Sequence, residues 1–317
     1  MKENIDRRNF IKQGALGSAG ILLGSSMAAN AAGFFSRQGI NNNGLGGLIP
    51  VSVIEDANLL LLRSGNFKEH AGFALASDLH TRPAAPGNKG RIASVLPVQD
   101  KKLLQLLRII RDDKELTNRV EKIAIAFGWI CHNAAARHIK PVYGNNPATE
   151  EILEIQSYHD AQLIKEISGI KVSAKVNEEY IASLFNEMLP RSATRVHTLI
   201  PASDGPEWVN RVTDWRVENK SYLENLAKII VRPENSKKVK YIDSPNFYAP
   251  SDSVIFCCRN LQKAIDVKPA KIKKAVSEAS TGSLYARALG EAYTNIANAN
   301  EYLNGNLSEQ ELDRKLF

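Results

Sequence analysis

The chain has 317 residues, with 41 Lys and Arg against 34 Asp and Glu for a formal charge of +7, 44% hydrophobic and 7% aromatic residues, and three cysteines. Length and apolar content suffice for one large core or two modest ones, and they exclude a disordered, collagenous or disulfide-scaffold protein. A charged fraction of 24% at this net charge is basic, but too mild and diffuse to mark a nucleic-acid binder.

At the N-terminus, Asp6-Arg7-Arg8-Asn9-Phe10-Ile11-Lys12 is followed by an uncharged stretch from Gln13 to Gly24 and then by Ser25-Ser26-Met27-Ala28-Ala29-Asn30-Ala31-Ala32. A basic beginning, a short and weakly apolar middle and a small-residue A-x-A end are the three parts of an export signal. Glycine and serine interrupt the middle, so it makes a poor membrane span, which needs roughly 20 strongly apolar residues. The segment resembles the twin-arginine (Tat) signal peptide in its paired Arg7 and Arg8, the aromatic Phe10, the aliphatic Ile11 and the basic Lys12. It departs from that pattern at Asp6, where Ser or Thr is usual, and at Ile11, where Leu is commonest.

The resemblance implies recognition of Arg7, Arg8, Phe10 and Lys12 by the Tat translocase, cleavage after Ala31, and export of the folded chain to the periplasm or extracytoplasmic surface. Proteins on that route often acquire a cofactor or partner before export, which raises the expectation of a bound cofactor without identifying one. Loss of residues 1–31 leaves a formal charge of +5, and no later stretch reaches the length of an apolar span. The mature product is therefore expected to be soluble or peripherally bound.

Residues 32–50 are rich in Gly and Asn and read as a linker or arm. Helical periodicity begins near Val51 and runs through Leu59 to Leu62. From Ser64 to Gln99 the pattern is irregular, a length more often functional than a plain connection. Asp100 caps a predicted helix through Asp112, with Leu103, Leu104, Leu107 and Ile110 on one side. A second helix is predicted from about Leu116 to Ile139, with Val120, Ile123, Phe127, Ile130 and Ala134 on one stripe. After Pro141, Gly144 and Pro147, Thr149 caps a third to about Ser168, with Glu151 and Glu154 favouring its dipole.

A fourth helix spans Asn177 to Met188. Residues 194–200 are the one strand candidate. Ser203-Asp204-Gly205 reads as a helix cap rather than an anion site, and leads into a helix bearing Trp208, Val212 and Trp215. Another helix runs from Ser221 to Val231. Residues 232–252 are irregular, and helices are predicted at about 253–266, 269–280, 283–303 and 308–316. The expected architecture is mainly α: a multi-helix globular domain with long irregular loops and at most minor β content. It divides into a signal peptide (1–31), a linker (32–50), a helical core domain (51–231) and a basic C-terminal helical segment (232–317).

No Walker A loop, nucleophile elbow, H-E-x-x-H pair, C-x-x-C or EF-hand loop occurs. Among the six histidines, His138 and His159 both fall on apolar stripes. In a helical hairpin turning at residues 140–147, however, His159 lies roughly 16 Å along from His138, closer in level to Cys131. Cys131 with His159, and Asp160 or His132 nearby, is the arrangement that could make an activated thiolate; a small buried Cys and a hydrogen-bonded core His is the stronger alternative. Glu69-His70 and Asp78-Leu79-His80 supply imidazole and carboxylate donors for a loop-borne metal ion, with His70, Asp78 and His80 as ligands, though the spacing matches no ligand template. Cys257 and Cys258 are adjacent; in an oxidising compartment one could pair with Cys131, or all three could stay buried as thiols.

The clearest charge feature is residues 237–274, net +6. Lys237, Lys238, Lys240, Arg259, Lys263, Lys268, Lys271, Lys273 and Lys274 there oppose only Asp243, Asp252 and Asp266. Such a surface fits anionic lipid, cell-wall polymer or an acidic protein, and solvated helix faces are its plain alternative. The reading that follows is an exported binding or accessory subunit of the bacterial cell envelope, with an exported metal-dependent or Cys/His enzyme as the rival.

Overall fold

The computed structural model describes residues 48–64, 90, 93–94, 100–112, 119–143, 155, 159–160, 163 and 244–317. They form helices α1 (Leu48–Ser64), α2 (Asp100–Asp112), α3 (Arg119–Ile139), the single turn α4 (Ser244–Phe247), α5 (Ser253–Gln262), α6 (Pro269–Glu278), α7 (Leu284–Leu303) and α8 (Glu309–Leu316). No strand occurs among the described residues, and the protein is mainly α. The strand candidate at 194–200 lies outside them.

Three helices make the centre. α7 packs against both α3 and α1, which also touch each other. Their sequences explain why: α3 is apolar nearly all round, burying Ile123 to Phe127 without a break and then Trp129, Ile130, Cys131, Ala134 and Ala135. A helix with apolar residues on every face has to be surrounded. α7 contributes small side chains, Ala286, Ala288, Gly290, Ala292 and Ala299, that let its backbone approach its neighbours. α2 is different. It buries Leu103, Leu106, Leu107 and Ile110, the i, i+3, i+4, i+7 stripe of a helix lying on a surface, and turns its charges outward. Leu106, not Leu104, takes the fully buried place on that stripe.

Gly128 marks the closest approach: a Cβ there would lie 2.2 Å from the Gly90 carbonyl oxygen, so no side chain is tolerated where that segment crosses α3. The helices of the C-terminal segment complete this core. α5 and α6 pack on α1, and α8 packs on α7. The described helices on both sides of residue 232 therefore belong to one hydrophobic cluster.

Local signals set most boundaries. Pro269 occupies the first turn of α6, where its missing N–H costs nothing. Ser283 caps α7, accepting from the Ala286 N–H, and its own N–H and hydroxyl donate to Asp252 at 3.0 and 2.6 Å. Asp252 is also the N-cap residue of α5, so one carboxylate ties the starts of two helices. Ser308 and Glu311 form a reciprocal capping box on α8. Three expectations shift. α1 begins at Leu48, inside the predicted linker. Val120 is 36% exposed rather than part of the buried stripe. The helix expected over 253–266 stops at Gln262, because the backbone there reverses.

Candidate functional site

The α5–α6 pair carries the described part of the basic segment, and its two faces differ in chemistry. The inner face of α5 buries Val254, Ile255, Cys257, Cys258 and Leu261. Arg259 also points inward. Its Nη2 donates to Asp56 Oδ2 at 2.5 Å and its Nε to the Tyr248 hydroxyl at 2.9 Å. Asp56, in the middle of α1 and 1% exposed, also accepts from the Tyr285 hydroxyl at 2.9 Å and from Gln262 Nε2 at 2.9 Å. Three donors on one carboxylate are what a buried charge requires. Burial, and then the Asp56 charge, hold the Tyr285 hydroxyl well above the usual phenol range, so it stays a donor. Arg259 was expected to contribute to the basic surface; it instead belongs to the core, where Asp56 neutralises it.

The outer face exposes Lys263, Lys268, Lys271, Lys273 and Lys274. Lys274 pairs with Glu278 one turn on, at 3.7 Å. Lys271 Nζ lies over the Phe256 ring, 5.2 Å from its centroid. Phe256 is 47% exposed and Ile265 51% exposed. Lys268 is the N-cap residue of α6 with no side-chain cap, and the first turn contains no acidic residue, so lysines sit at the positive end of that helix dipole.

α5 ends in a Schellman arrangement. The Ala264 N–H bonds to the Leu261 carbonyl at 3.0 Å and the Ile265 N–H to the Asn260 carbonyl at 2.9 Å, with Ala264 at φ 59°. α7 ends with the same pair of bonds, from Gly305 to Tyr302 and from Asn306 to Glu301, but there the left-handed residue is a glycine. The other lysines of the expected surface, Lys237, Lys238 and Lys240, lie outside the described residues.

Cys131 and His159 are both buried. His159 stacks on Phe247, with ring centroids 3.8 Å apart and planes 8° from parallel, and its Nδ1 shares a 2.7 Å hydrogen bond with the Tyr143 hydroxyl. Burial pushes the His159 imidazole down to about 3 and pushes the Cys131 thiol well up. A nucleophilic pair needs a thiolate stabilised by an imidazolium or a polar neighbour; these surroundings favour a neutral thiol and a neutral ring. His132 donates from Nδ1 to the Ser94 carbonyl at 2.8 Å, and Asp160 is buried. Cys131, Cys257 and Cys258 are all buried and none is in a disulfide.

The metal candidates His70, Asp78 and His80 lie outside the described residues, as do Ser203-Asp204-Gly205 and the signal residues Arg7, Arg8, Phe10, Lys12 and Ala31. Among the described residues no group of three or more His, Cys, Asp or Glu side chains is placed to hold a metal ion. No described helix is long and apolar enough to cross a membrane.

Two polar centres escaped the sequence reading. One is Asp56 with Tyr248, Tyr285 and Gln262. The available signal was an acidic residue inside the apolar run of α1. The other is Glu291 on α7, which meets Arg137 at 2.5 Å and His138 Nε2 at 2.6 Å, while Arg137 also donates to the Leu316 carbonyl at 3.3 Å. His138 thus has a carboxylate partner from a helix more than 150 residues away. No protein-family model matches the chain, and comparison with curated proteins and with solved structures returns no match.

Proposed function

We propose that this is a Tat-exported accessory or binding protein of the bacterial cell envelope that uses the outer face of α5 and α6 to hold a phosphate-bearing polyanion. The observation that carries the binding role is the set of five solvent-facing lysines, Lys263, Lys268, Lys271, Lys273 and Lys274, against two acidic residues, Asp266 and Glu278, within the stretch 263–278. Long cations facing water, held by at most a solvent-exposed pair such as Lys274 with Glu278, cost little to bring against phosphate and gain by releasing its counterions. The export role is supported by the Arg7-Arg8-Asn9-Phe10-Ile11-Lys12 sequence.

Two measurements test the two halves. Arg7→Lys with Arg8→Lys is expected to leave the full-length chain in the cytoplasm; normal export of that variant removes the Tat assignment. Binding of the purified chain to inorganic polyphosphate is expected to weaken steeply with added salt and to fall about tenfold or more in the Lys271→Glu, Lys273→Glu, Lys274→Glu variant. That variant's thermal midpoint is expected to stay close to that of the parent, since exposed charges contribute little to stability. Salt-insensitive or unchanged binding refutes the polyanion role, and saturable binding to an acidic protein with none to polyphosphate replaces it.

A further inference from the structure

We infer that the exposed side of the α5–α6 pair is a membrane-interface anchor: Phe256 and Ile265 enter the headgroup–acyl boundary of an anionic phospholipid bilayer while the five lysines meet its phosphates. The inference rests on the polyanion reading and narrows it to a lipid surface. A soluble polyanion would need the lysines alone. The same surface, however, holds two of the most exposed large apolar side chains among the described residues, Ile265 at 51% and Phe256 at 47%. Exposed apolar side chains interspersed with five exposed lysines, against the two exposed acids of the stretch 263–278, Asp266 and Glu278, are the composition of a peripheral helix face that lies in a bilayer interface.

The backbone at the end of α5 adds a second, independent observation. In a Schellman arrangement the residue after the left-handed position normally folds back onto the helix residue it bonds. Here that residue is Ile265 and its counterpart is Asn260, a polar side chain that offers it no apolar seat. A strained alanine, φ 59° where glycine is the ordinary choice, thus holds an isoleucine out in solvent. Lys271 is arranged to match. Its ammonium stands over the Phe256 ring, 5.2 Å from the centroid, and its flexible stem lets it extend to phosphate when the ring is immersed.

The test compares the purified full chain with its Phe256→Ser, Ile265→Ser variant, both bearing the same N-terminus. Sedimentation is measured with vesicles of phosphatidylcholine alone and of phosphatidylcholine mixed equally with phosphatidylglycerol, and polyphosphate binding is measured in parallel. The expected result is binding to the mixed vesicles only, a loss of about tenfold in the serine variant, and unchanged polyphosphate binding. Both substitutions are at exposed positions, and an unaltered thermal midpoint verifies the fold. Equal vesicle binding by parent and serine variant, beside intact polyphosphate binding, overturns the bilayer anchor and leaves the polyanion role standing. Absence of binding to polyphosphate and vesicles alike overturns both.

Discussion

Inward from α5, Arg259 meets a carboxylate, a tyrosine hydroxyl and an aromatic wall; outward from the same helix and from α6, five lysines meet water. The two faces are built from one basic stretch of sequence and obey opposite rules. Inside, a charge survives only if its counter-charge and hydrogen bonds arrive with it, because the interior cannot supply the missing solvation. Outside, water solvates each lysine and no partner is required, so the charge remains available to a ligand. Arg259 is also the cation suited to the inner role, since its planar fork can address Asp56 and Tyr248 at once, while lysine ammoniums suit the solvated one.

The sharpest way to break this contrast is Arg259→Met. It leaves Asp56 buried with Tyr285 and Gln262 but without its counter-charge, and it is expected to cost about 3–5 kcal/mol in denaturant unfolding. Adding Asp56→Leu to the same chain is expected to restore part of that loss, because it removes the stranded charge. A single variant as stable as the parent would show that the pair is not a structural anchor.

A second interior rule, neutrality, is read at His159. Its pKa is depressed from 6.5 to about 3 by burial, so between those pH values the unfolded chain binds a proton that the folded chain refuses. Stability from this group is therefore complete above pH 6.5 and declines as pH falls toward 3. The expected loss over that span is at most about 5 kcal/mol. His159→Phe preserves a ring against Phe247 and is expected to flatten this acid limb; an unchanged acid limb would place the sensitivity elsewhere.

The smallest expected effect lies on the outer face. Ala264→Gly relieves a left-handed alanine and is expected to raise stability by about 0.5–1 kcal/mol, part of the gain being offset by the greater freedom of glycine in the unfolded chain. The equivalent position after α7, Gly305, is already a glycine at φ 79°. A destabilised Ala264→Gly chain would mean that the alanine side chain is held by contacts that outweigh its strain.

Legibility from the sequence followed the range of the interaction responsible. α2 was read with its observed boundaries from Asp100 to Asp112, because its apolar spacing and terminal acid are local facts. The starts of α6, α7 and α8 were legible for the same reason, through Pro269, Ser283 and Ser308. The end of α5 was not, since alanine is a strong helix former and nothing in Lys263-Ala264-Ile265 announces a reversal. The lysines of the candidate site could be picked out by composition. Their division from Arg259 could not, because its partner Asp56 lies 203 residues away. Nor did periodicity reveal that His159 would meet Tyr143 and Phe247, three aromatic rings drawn from separate parts of the chain.

By itself, then, the sequence determined that this is a helical protein, where most of its described helices begin, and that positive charge gathers toward its C-terminal third. Those properties depend on spacing, caps and counts that any short window contains. The tertiary structure alone decided which cation is neutralised in the core and which remain exposed, and that Phe256 and Ile265 stay in solvent beside them. Burial and partnership are properties of segments brought together by packing, and α1 and α5 become neighbours only when the core assembles.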